Sequence, residues 1–422
     1  MPTLTEVIKS QSEMYDKVEN LMRCVTVRSL ANAHASQDGR KAAGVDGVTK
    51  GEYESDLAAN LTGLVERMRA FSYRPQPVRR AYIPKANGKT RPLGIPAYED
   101  RLVQSVMADI PTGVYEPRFL DCSYGFRPGR SCHQVVRVID STVMTQRVNY
   151  VLEADIRGFF DNVDHEWMMR FLEHDIADRN FLRYVRRFLK AGVMEEGRLL
   201  ETERGSAQGG LISPVMCNAY LHYVLDLWFE RAVKKRLGGF ARLVRYADDF
   251  LIMFERREDA DADMGLLPER LGKFGLEVAA EKTRVLPFGR NDRDRNRFDF
   301  LGFTFYGATT QRGKYRVGVK SCEAKLKAKR RELKSWLWGR LHSDVGETLR
   351  SLNRKLSGHC NYYGVSGNLR DVRKFYSYAR RTTRRMLSRR SQKGFVTWET
   401  MDRIWRQYIT PPTVRVNIWQ FA

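Results

Sequence analysis

The chain lacks the features that mark secreted, membrane-spanning or zinc-stabilised proteins. Its 6 cysteines are scattered without a CxxC pair, and its 7 histidines show no metal-ligand spacing. We therefore expect reduced thiols and no structural zinc. No secretory signal opens the sequence, and no run of about 18 apolar residues occurs. Together with the absence of repeats and low-complexity tracts, this predicts an intracellular protein of two or three packed domains without membrane contact.

Acidic residues are too few to balance the basic ones. The chain has 73 Lys and Arg against 50 Asp and Glu, a formal charge of +23. From Lys320 to Ala422 there are 24 basic and 7 acidic residues, a net charge of +17, so the other 319 residues carry only +6. Aromatic residues are interleaved with this basic last quarter, among them Trp336, Trp338, Tyr362, Tyr363, Tyr376, Tyr378 and Trp405. Cations with stacking groups predict a nucleic-acid partner, and a solvated, solubilising face is the alternative.

The tetrapeptide Tyr246-Ala247-Asp248-Asp249 lies between two apolar runs, 240–244 and 250–254. This pattern predicts a β-hairpin with two adjacent carboxylates at its tip. Like charges at that distance repel, and a divalent cation removes the repulsion. A polar turn without function is the alternative, because Asp is common in turns.

A third carboxylate, Asp155, ends the apolar segment 150–155, which reads as a buried strand. Asp161 and Asp164 fit the role of helix caps better than Asp155 does, which leaves Asp155 available to face the hairpin tip. Mg²⁺ typically takes few protein carboxylates together with substrate phosphates. Asp155, Asp248 and Asp249 therefore predict a site for two Mg²⁺ ions, with Mn²⁺ as a substitute, that drives nucleotidyl transfer.

Basic and glycine-rich segments surround these acids. Asn87-Gly88 predicts a hairpin that places Lys85, Lys89 and Arg91 on one β-ribbon, which suits either a triphosphate or a solvated edge strand. The stretch 204–214 reads as a loop leading into a helix, with Ser213 as its N-cap and Pro214 at its first position. Within that loop Gln208 can reach a nucleotide or the template, although a glycine-rich loop alone is weak support.

Three smaller features complete the pattern. Phe159 and Phe160 follow Asp155 closely, and an aromatic ring beside the triphosphate would exclude a ribose 2′-hydroxyl. Lys282 can act as a general acid toward pyrophosphate, and a surface ion pair is the commoner explanation. The Leu301-Gly302 turn lies in an alternating apolar hairpin whose glycine allows close approach to a primer end.

Taken in order, these segments resemble the reverse transcriptases encoded by group II introns, of the short type without an endonuclease domain. Matching blocks include Ala43-Gly-Val-Asp-Gly47, Tyr98 to Gln104, Ser123 to Ser131, Asp155 to Asn162, the Gln-Gly and Ser-Pro block, Glu281-Lys-Thr283 and Phe300 to Phe303. The resemblance spans nearly the whole chain. It implies an α+β right-hand polymerase with a helical thumb, and we expect residues 1–75 to form an N-terminal extension, 76–305 fingers and palm, and 306–422 a basic thumb and maturase domain.

The resemblance also implies roles for individual residues. Asp155, Asp248 and Asp249 would be the catalytic metal ligands, with Ile156 beside them, and Leu301 and Gly302 would form the primer grip. The incoming dNTP would meet Lys85, Arg91, Ile156, Arg157, Gly158, Phe159, Phe160 and Gln208. Phe159 would be the sugar gate, with Phe160 as the rival.

In the C-terminal part, leucines predict two helices whose apolar faces carry Leu326, Leu333, Leu337 and Leu341, then Val345, Leu349, Leu352 and Leu356. A third helix, capped by Asp371, would bury Val372, Phe375, Ala379 and Met386. Its opposite face presents the predicted RNA-binding residues Arg373, Lys374, Arg380, Arg381, Arg384 and Arg385.

These features predict an enzyme that copies an RNA template from a DNA or RNA primer and helps its intron RNA to splice. Its partners would be intron RNA, template and dNTPs, in a cytoplasmic, nucleoid-associated particle. Two alternatives stay open. One is an RNA-binding maturase with little polymerase activity, and the other is a free-standing, host-adopted reverse transcriptase of repair or defence.

Overall fold

Helices and strands are mixed along the chain in this computed structural model, which describes residues 3–84, 90–201, 203–205, 210–292, 294–390 and 394–419. The helices are α1 (Leu4–Met14), α2 (Val27–Ser36), α3 (Lys50–Glu54), α4 (Leu57–Arg69), α5 (Tyr98–Tyr115), α6 (Cys132–Thr145), α7 (Phe159–Asn162), α8 (His165–Asp175), α9 (Arg179–Leu189), α10 (Ser213–Leu221), α11 (Arg257–Gly272), α12 (Glu323–Trp338), α13 (Val345–Tyr363), α14 (Leu369–Ser388) and α15 (Trp398–Tyr408). The strands are β1 (Val78–Pro84), β2 (Thr90–Ile95), β3 (Tyr150–Asp155), β4 (Val193–Glu195), β5 (Arg198–Leu200), β6 (Ala241–Tyr246), β7 (Asp249–Phe254), β8 (Arg284–Pro287), β9 (Arg297–Phe300), β10 (Phe303–Thr309) and β11 (Tyr315–Ser321). The predicted α+β class is confirmed.

The described strands form three sheets, ordered β2-β1-β4-β5, β6-β7-β3-β8 and β11-β10-β9. The predicted ribbon upstream of the carboxylates exists, because β1 and β2 pair antiparallel from Arg79 opposite Ile95 to Pro84 opposite Thr90. Its predicted Asn87-Gly88 turn, with Lys85 and Lys89, lies outside the described residues. The hairpin predicted around the tetrapeptide is also present, as β6 and β7.

The chain divides into two compact units. The first comprises residues 1–130, 152–252 and 258–284, and the second comprises 131–151, 253–257 and 285–422. The boundary expected between residues 305 and 306 falls inside β10. The sheet that contains β10 belongs to the same compact unit as the C-terminal helices. The expected division into fingers and palm before residue 306 and thumb after it therefore stays a prediction.

In the first unit, the Ala43 to Gly47 stretch is tied to the start of α5. The carboxylate of Asp46 accepts a hydrogen bond from the backbone N–H of Tyr98 at 3.0 Å, which caps the helix from a distance in sequence. A Cβ on Gly44 would lie 2.5 Å from the carbonyl oxygen of Pro96, so glycine is required by the close backbone approach. These contacts give the motif a structural role.

In the second unit, the predicted leucine faces are confirmed except at two positions: Leu341 lies past the last residue of α12, and both Leu341 and Val345 are only partly buried. Residues buried together from α12, α13 and α14 include Leu326, Leu333, Leu337, Leu349, Leu352, Leu356, Val372, Phe375, Ala379 and Met386. The prediction that Asp371 caps the third helix is wrong, because α14 begins at Leu369 after Asn368. Asp371 lies in the first turn, where its charge still suits the helix dipole and pairs with Lys374 at 2.8 Å.

All six cysteines are free thiols, and five of them are buried. Within the described ranges, no helix has both the length and the apolar character needed to cross a bilayer.

Candidate active site

Asp155 stands at the end of β3, where the chain leaves the sheet. Its backbone carbonyl accepts a hydrogen bond from Ala279 at 2.8 Å, and the next residue, Ile156, forms a bridge with Val278. The backbone on both sides of the carboxylate is therefore fixed by the 277–279 segment. The side chain of Asp155 keeps 17% of its surface exposed, so the carboxylate can still meet a ligand.

The β6–β7 turn carries the other two carboxylates. Ala247 adopts a φ of +57°, a backbone conformation that costs a non-glycine residue about 1–3 kcal/mol and persists only where the surroundings impose it. Asp248 is half-buried and Asp249 is exposed. Burial raises the pKa of Asp248, and the negative charge of Asp155 raises it further. Because β3 lies next to β7 in the sheet, the end of β3 brings Asp155 close to the turn that carries Asp248.

Two cations act on these carboxylates. The ammonium of Lys282 pairs with Asp155, which raises the pKa of Lys282, and the charge of Asp249 raises it as well. Arg91 on β2 opposes the rise in the pKa of Asp248, as does Lys282. The structure thus brings Asp155, Asp248, Asp249, Arg91 and Lys282 into one neighbourhood, as the sequence predicts.

The available ligands suit Mg²⁺, which needs few protein carboxylates, better than an ion that is enclosed by protein ligands alone. Among the described residues, no three carboxylate, thiol or imidazole groups are gathered so as to enclose an ion. Burial and the negative charge of Asp155 nevertheless both raise the pKa of Asp248, so the ionised form of Asp248 is costly. A hard cation relieves that penalty, and Mg²⁺ commonly binds one or two carboxylates together with substrate phosphates.

A buried arginine, Arg245, hydrogen-bonds to the backbone of the catalytic turn. The guanidinium of Arg245, with no exposed surface, donates to both carboxylate oxygens of Asp226, the first at 2.7 Å. Its Nη1 donates to Asn218 at 2.9 Å and to the carbonyl oxygen of Ala247 at 3.0 Å, and its Nη2 donates to the Ser123 hydroxyl at 2.8 Å. Although burial lowers the pKa of Arg245, Asp226 raises it above its ordinary value, so the ion pair is stable in the interior.

The sequence interpretation missed this network. The signal for it was Arg245 itself, a charged residue between the apolar run 240–244 and the tetrapeptide, where an unpaired buried cation would be costly. Through the Ala247 carbonyl, Arg245 contacts the very residue whose backbone is strained. The network therefore offers the physical reason why the turn keeps its shape.

Gly125 allows a second backbone segment to reach the turn. A Cβ at this position would lie 2.5 Å from the backbone nitrogen of Ala247, and the Gly125 carbonyl accepts from Asn218 at 2.5 Å. The block Ser123 to Ser131 thus supplies both a hydroxyl for Arg245 and a glycine for close approach.

The two phenylalanines after Asp155 have different surroundings. Phe159 is 2% exposed and packs edge-on against Phe160, with 5.4 Å between ring centroids, and against Tyr220 at 6.4 Å. Phe160 is half-buried and lines a cavity of about 350 Å³ together with Pro92 and Arg204. The expectation that Phe159 meets the sugar does not fit its place in the core, and the rival Phe160 is the ring with access to a ligand. Gly158, with a φ of +53°, takes a left-handed backbone conformation directly before α7, which glycine adopts without strain.

The structure describes some of the other predicted nucleotide contacts and not others. The guanidinium of Arg157 is engaged by Glu277 at 2.8 Å and by Glu281 at 2.7 Å. Lys85 and Gln208 lie outside the described residues. The helix after the Gln208 loop begins at Ser213, with Ile212 as N-cap, so the predicted start is displaced by one residue.

The predicted primer-grip residues form a two-residue turn in the second unit. Leu301 and Gly302 both have positive φ, +49° and +78°, which is the backbone that a tight β9–β10 hairpin requires. Tyr362 donates its hydroxyl hydrogen to the Leu301 carbonyl at 2.8 Å, and a Cβ on Gly302 would lie 2.8 Å from the Tyr363 hydroxyl. The turn is thus fixed against α13.

The basic face of α14 is partly occupied by neighbouring residues. Arg380 pairs with Asp402 of α15, and Arg384 donates to the Val396 carbonyl at 2.9 Å while lying 4.2 Å from the Trp398 ring centroid. By contrast, Arg373, Arg381 and Arg385 are exposed, and Lys374 is exposed but pairs with Asp371. The helix therefore presents a smaller cationic surface than its sequence suggests.

Comparison with known proteins agrees with this geometry. Residues 83–305 match the family described as reverse transcriptase (RNA-dependent DNA polymerase). Protein YkfC of Escherichia coli is 30% identical over 359 residues, covering 76% of this chain and 92% of that protein. Group II intron-encoded protein LtrA of Lactococcus lactis is 27% identical over 462 residues, covering 89% of this chain and 75% of LtrA. An uncharacterised 91 kDa protein of the cob intron in Schizosaccharomyces pombe is 35% identical over 40% of this chain and 20% of that protein. The chain therefore belongs to the reverse transcriptase family, and it is similar to the group II intron-encoded protein LtrA over most of its length.

Proposed function

We propose that this reverse transcriptase copies RNA into DNA at Asp155, Asp248 and Asp249, and that its C-terminal helices bind the encoding intron RNA and assist its splicing. The observation that supports the polymerase site is the position of Asp155 at the end of β3, next to β7 in the sheet and to the strained turn that carries Asp248 and Asp249. The substrates would be a primed RNA template and dNTPs.

The carboxylates would hold two Mg²⁺ ions, with Mn²⁺ as a substitute. When bound, such ions stabilise both the attacking and the leaving oxygens of an in-line displacement. Asp248 fits this task because burial makes its charge costly without a cation. The Arg245 network keeps the turn in place, so little reorganisation is needed when substrate binds.

Two cations have complementary roles toward the triphosphate. Arg91, on the exposed face of β2, is placed to neutralise phosphate charge near Asp248. Lys282 keeps its proton firmly because its pKa is raised by Asp155, so it suits charge neutralisation better than rapid proton donation in the free enzyme. A metal ion held by Asp155 would compete with the ammonium of Lys282 for that carboxylate and would leave the ammonium free to contact pyrophosphate.

Sugar discrimination is assigned to Phe160. Its ring lines the cavity that also borders Pro92 of the β1–β2 ribbon, whereas Phe159 belongs to the core. An aromatic wall at this position leaves no room for a 2′-hydroxyl, which favours deoxynucleotides.

Primer extension on an RNA template, with Mg²⁺ and dNTPs, tests the polymerase site directly. Asp248→Asn should reduce extension to background, because it removes the charge that attracts the cation and keeps the side-chain shape. The matched control is Asp16→Asn, an exposed carboxylate far from β3 in sequence, which should extend like the wild type. Extension by Asp248→Asn at the wild-type rate would refute the assignment.

The splicing role rests on the similarity to LtrA and on the exposed cations of α14. We expect folded intron RNA to bind more tightly than random RNA of equal length at physiological salt, where nonspecific phosphate binding is weakened. Arg373→Glu with Arg381→Glu should reduce this preference. Equal affinity for both RNAs would contradict the splicing role and leave the polymerase site untouched.

A further inference from the structure

A basic groove that the proposed chemistry does not use runs beside α9 in the first unit. It has a volume of about 910 Å³. Helix α9 and its C-cap supply Arg179, Arg183, Arg186, Arg187 and Lys190 to its wall. Lys17 and Arg74 add two further cations from other segments, and Glu173 is the one acidic residue among the described residues that line it. The groove therefore has an excess of six positive charges.

The sequence of α9 produces this concentration by its helical period. Its basic residues recur three or four positions apart and share one face, while Phe181, Leu182, Tyr184, Val185 and Leu189 are buried on the other. Asp178 caps the helix by accepting from the backbone of Asn180 and Phe181 at 2.9 and 3.0 Å. The helix keeps its cations in register although they repel one another, which makes a polyanion a favourable partner.

The cations of the groove are of two kinds: some stack on aromatic rings, and others make no contact with the described residues that a phosphate would have to displace. The guanidinium of Arg183 lies 4.4 Å from the Phe71 ring centroid, and that of Arg187 lies 5.0 Å from Tyr184, so both are pre-oriented. Within the described ranges, the side chains of Arg74, Arg179 and Lys190 make no hydrogen bond or ion pair with protein, so each can bind a phosphate at no cost in protein contacts.

The groove adjoins the cavity next to the proposed nucleotide site. Ala191 lines the groove and also the cavity that contains Phe160 and Pro92. On another side, Lys190 and Ala191 border a depression lined by four carboxylates, those of Asp164, Glu166, Glu201 and Glu203. A nucleic-acid strand that leaves the Phe160 cavity is repelled by this acidic surface and attracted by the basic one.

We propose that this groove binds the single-stranded part of the RNA template that has not yet been copied. The inference rests on the proposed function, since it adds a path for the substrate of the same site. The distance from Arg179 to Lys190 is about 16 Å along the helix axis, at 1.5 Å per residue. That length accommodates about five phosphates of one strand at a stacked spacing of about 3.4 Å.

The binding test uses primer–template duplexes whose 5′ RNA overhangs are either short, about 2 nucleotides, or long, about 10 nucleotides. The variant combines Arg74→Glu, Arg179→Glu and Lys190→Glu, which are all exposed positions. The wild type should bind the long overhang more tightly than the short one, by about tenfold or more. The variant should lose this gain while binding the short overhang with unchanged affinity.

Salt dependence supplies a second readout. Each phosphate contact with a single strand contributes about 0.7 to the slope of log K against log salt, so loss of three contacts should lower the slope by about 2 for the long overhang alone. The control variant reverses three exposed charges that line none of the described cavities, by Arg69→Glu, Lys235→Glu and Arg236→Glu. It should keep the wild-type slope and the overhang gain.

Three results would overturn the proposal. The groove variant could still bind the long overhang more tightly than the short one, or it could lose affinity equally for both overhangs. It could also lose affinity only for folded intron RNA. Primer extension on the short-overhang template separates this proposal from the proposed function. If the wild type extends no primer, the polymerase site fails whatever the binding data show, and if the groove variant extends normally there, the catalytic site is intact.

Discussion

The buried Arg245–Asp226 pair provides the sharpest test of how the catalytic turn is held. Replacing Asp226 by Ala leaves a guanidinium in the interior without its counter-ion, since both residues have no exposed surface. Removing one partner of such a pair typically costs about 3–5 kcal/mol. We therefore expect Asp226→Ala to be strongly destabilised, with a lowered midpoint in urea unfolding followed by tryptophan fluorescence.

The double variant Asp226→Leu with Arg245→Met separates stability from catalysis. Replacing both members of a buried ion pair by apolar residues is often neutral or stabilising, so most of the lost free energy of unfolding should return. The Ala247 carbonyl, however, loses its charged donor, a hydrogen bond worth about 1.5–3 kcal/mol. That is comparable to the 1–3 kcal/mol or so by which a positive φ disfavours alanine, so the turn is free to relax.

The expected consequence is a folded enzyme that extends primers about a hundredfold more slowly, because a displacement of about 1 Å at a reacting centre can cost that much. KM for dNTP should change less than kcat, since Arg245 does not contact the nucleotide cavity. A double variant that unfolds like the wild type and also extends primers at the wild-type rate would refute the reasoning, because the network would then serve stability alone.

Three further predictions follow from particular residues. Phe160→Ala should raise ribonucleotide incorporation by on the order of tenfold, whereas Phe159→Ala should mainly lower stability, and the ratio of rNTP to dNTP extension in the two variants decides between them. Gly125→Ala should slow extension and destabilise the fold by about 1–3 kcal/mol, because its methyl group would meet the Ala247 nitrogen; unchanged kinetics would contradict the close approach. Burial raises the pKa of Asp263 to about 7, and none of the described residues hydrogen-bonds to its carboxylate. The folded state therefore retains a proton that the unfolded chain loses, and stability falls as pH rises from about 4 to 7, by up to about 4 kcal/mol. Asp263→Asn should remove this dependence, and parallel pH–stability curves for wild type and variant would disprove it.

Local periodicity explains which parts of the structure the sequence predicted well. The β6–β7 hairpin and the apolar faces of α12 and α13 depend on patterns that repeat within a few residues, and these patterns determine which side is buried. The gathering of Asp155 with Asp248 was also predictable, because both sit at strand ends next to a turn. Fold class and candidate carboxylates therefore follow from short-range signals.

Long-range contacts explain what the sequence left open. The partners of Arg245 are 19, 27 and 122 residues away in the chain, and no local pattern records such distances. The choice between Phe159 and Phe160 depended on distant neighbours, because Phe159 is buried against Tyr220 whereas Phe160 lines a cavity. In both cases a residue type was informative only once its neighbours in space were known.

The net charge of a segment likewise does not predict which surface of the fold binds nucleic acid. The net charge of +17 in the last 103 residues predicts that α14 binds RNA. Two of its six predicted cations, however, contact α15, where Arg380 pairs with Asp402 and Arg384 stacks on Trp398. The remainder of the chain, at only +6, nevertheless assembles seven cations in one groove, because helical spacing and two loops bring them together. A segment's net charge measures how strongly it attracts a polyanion, whereas the arrangement of charges in the fold decides where the strand binds. The overhang-dependent affinity of the α9 groove is therefore a test that composition alone would not have suggested.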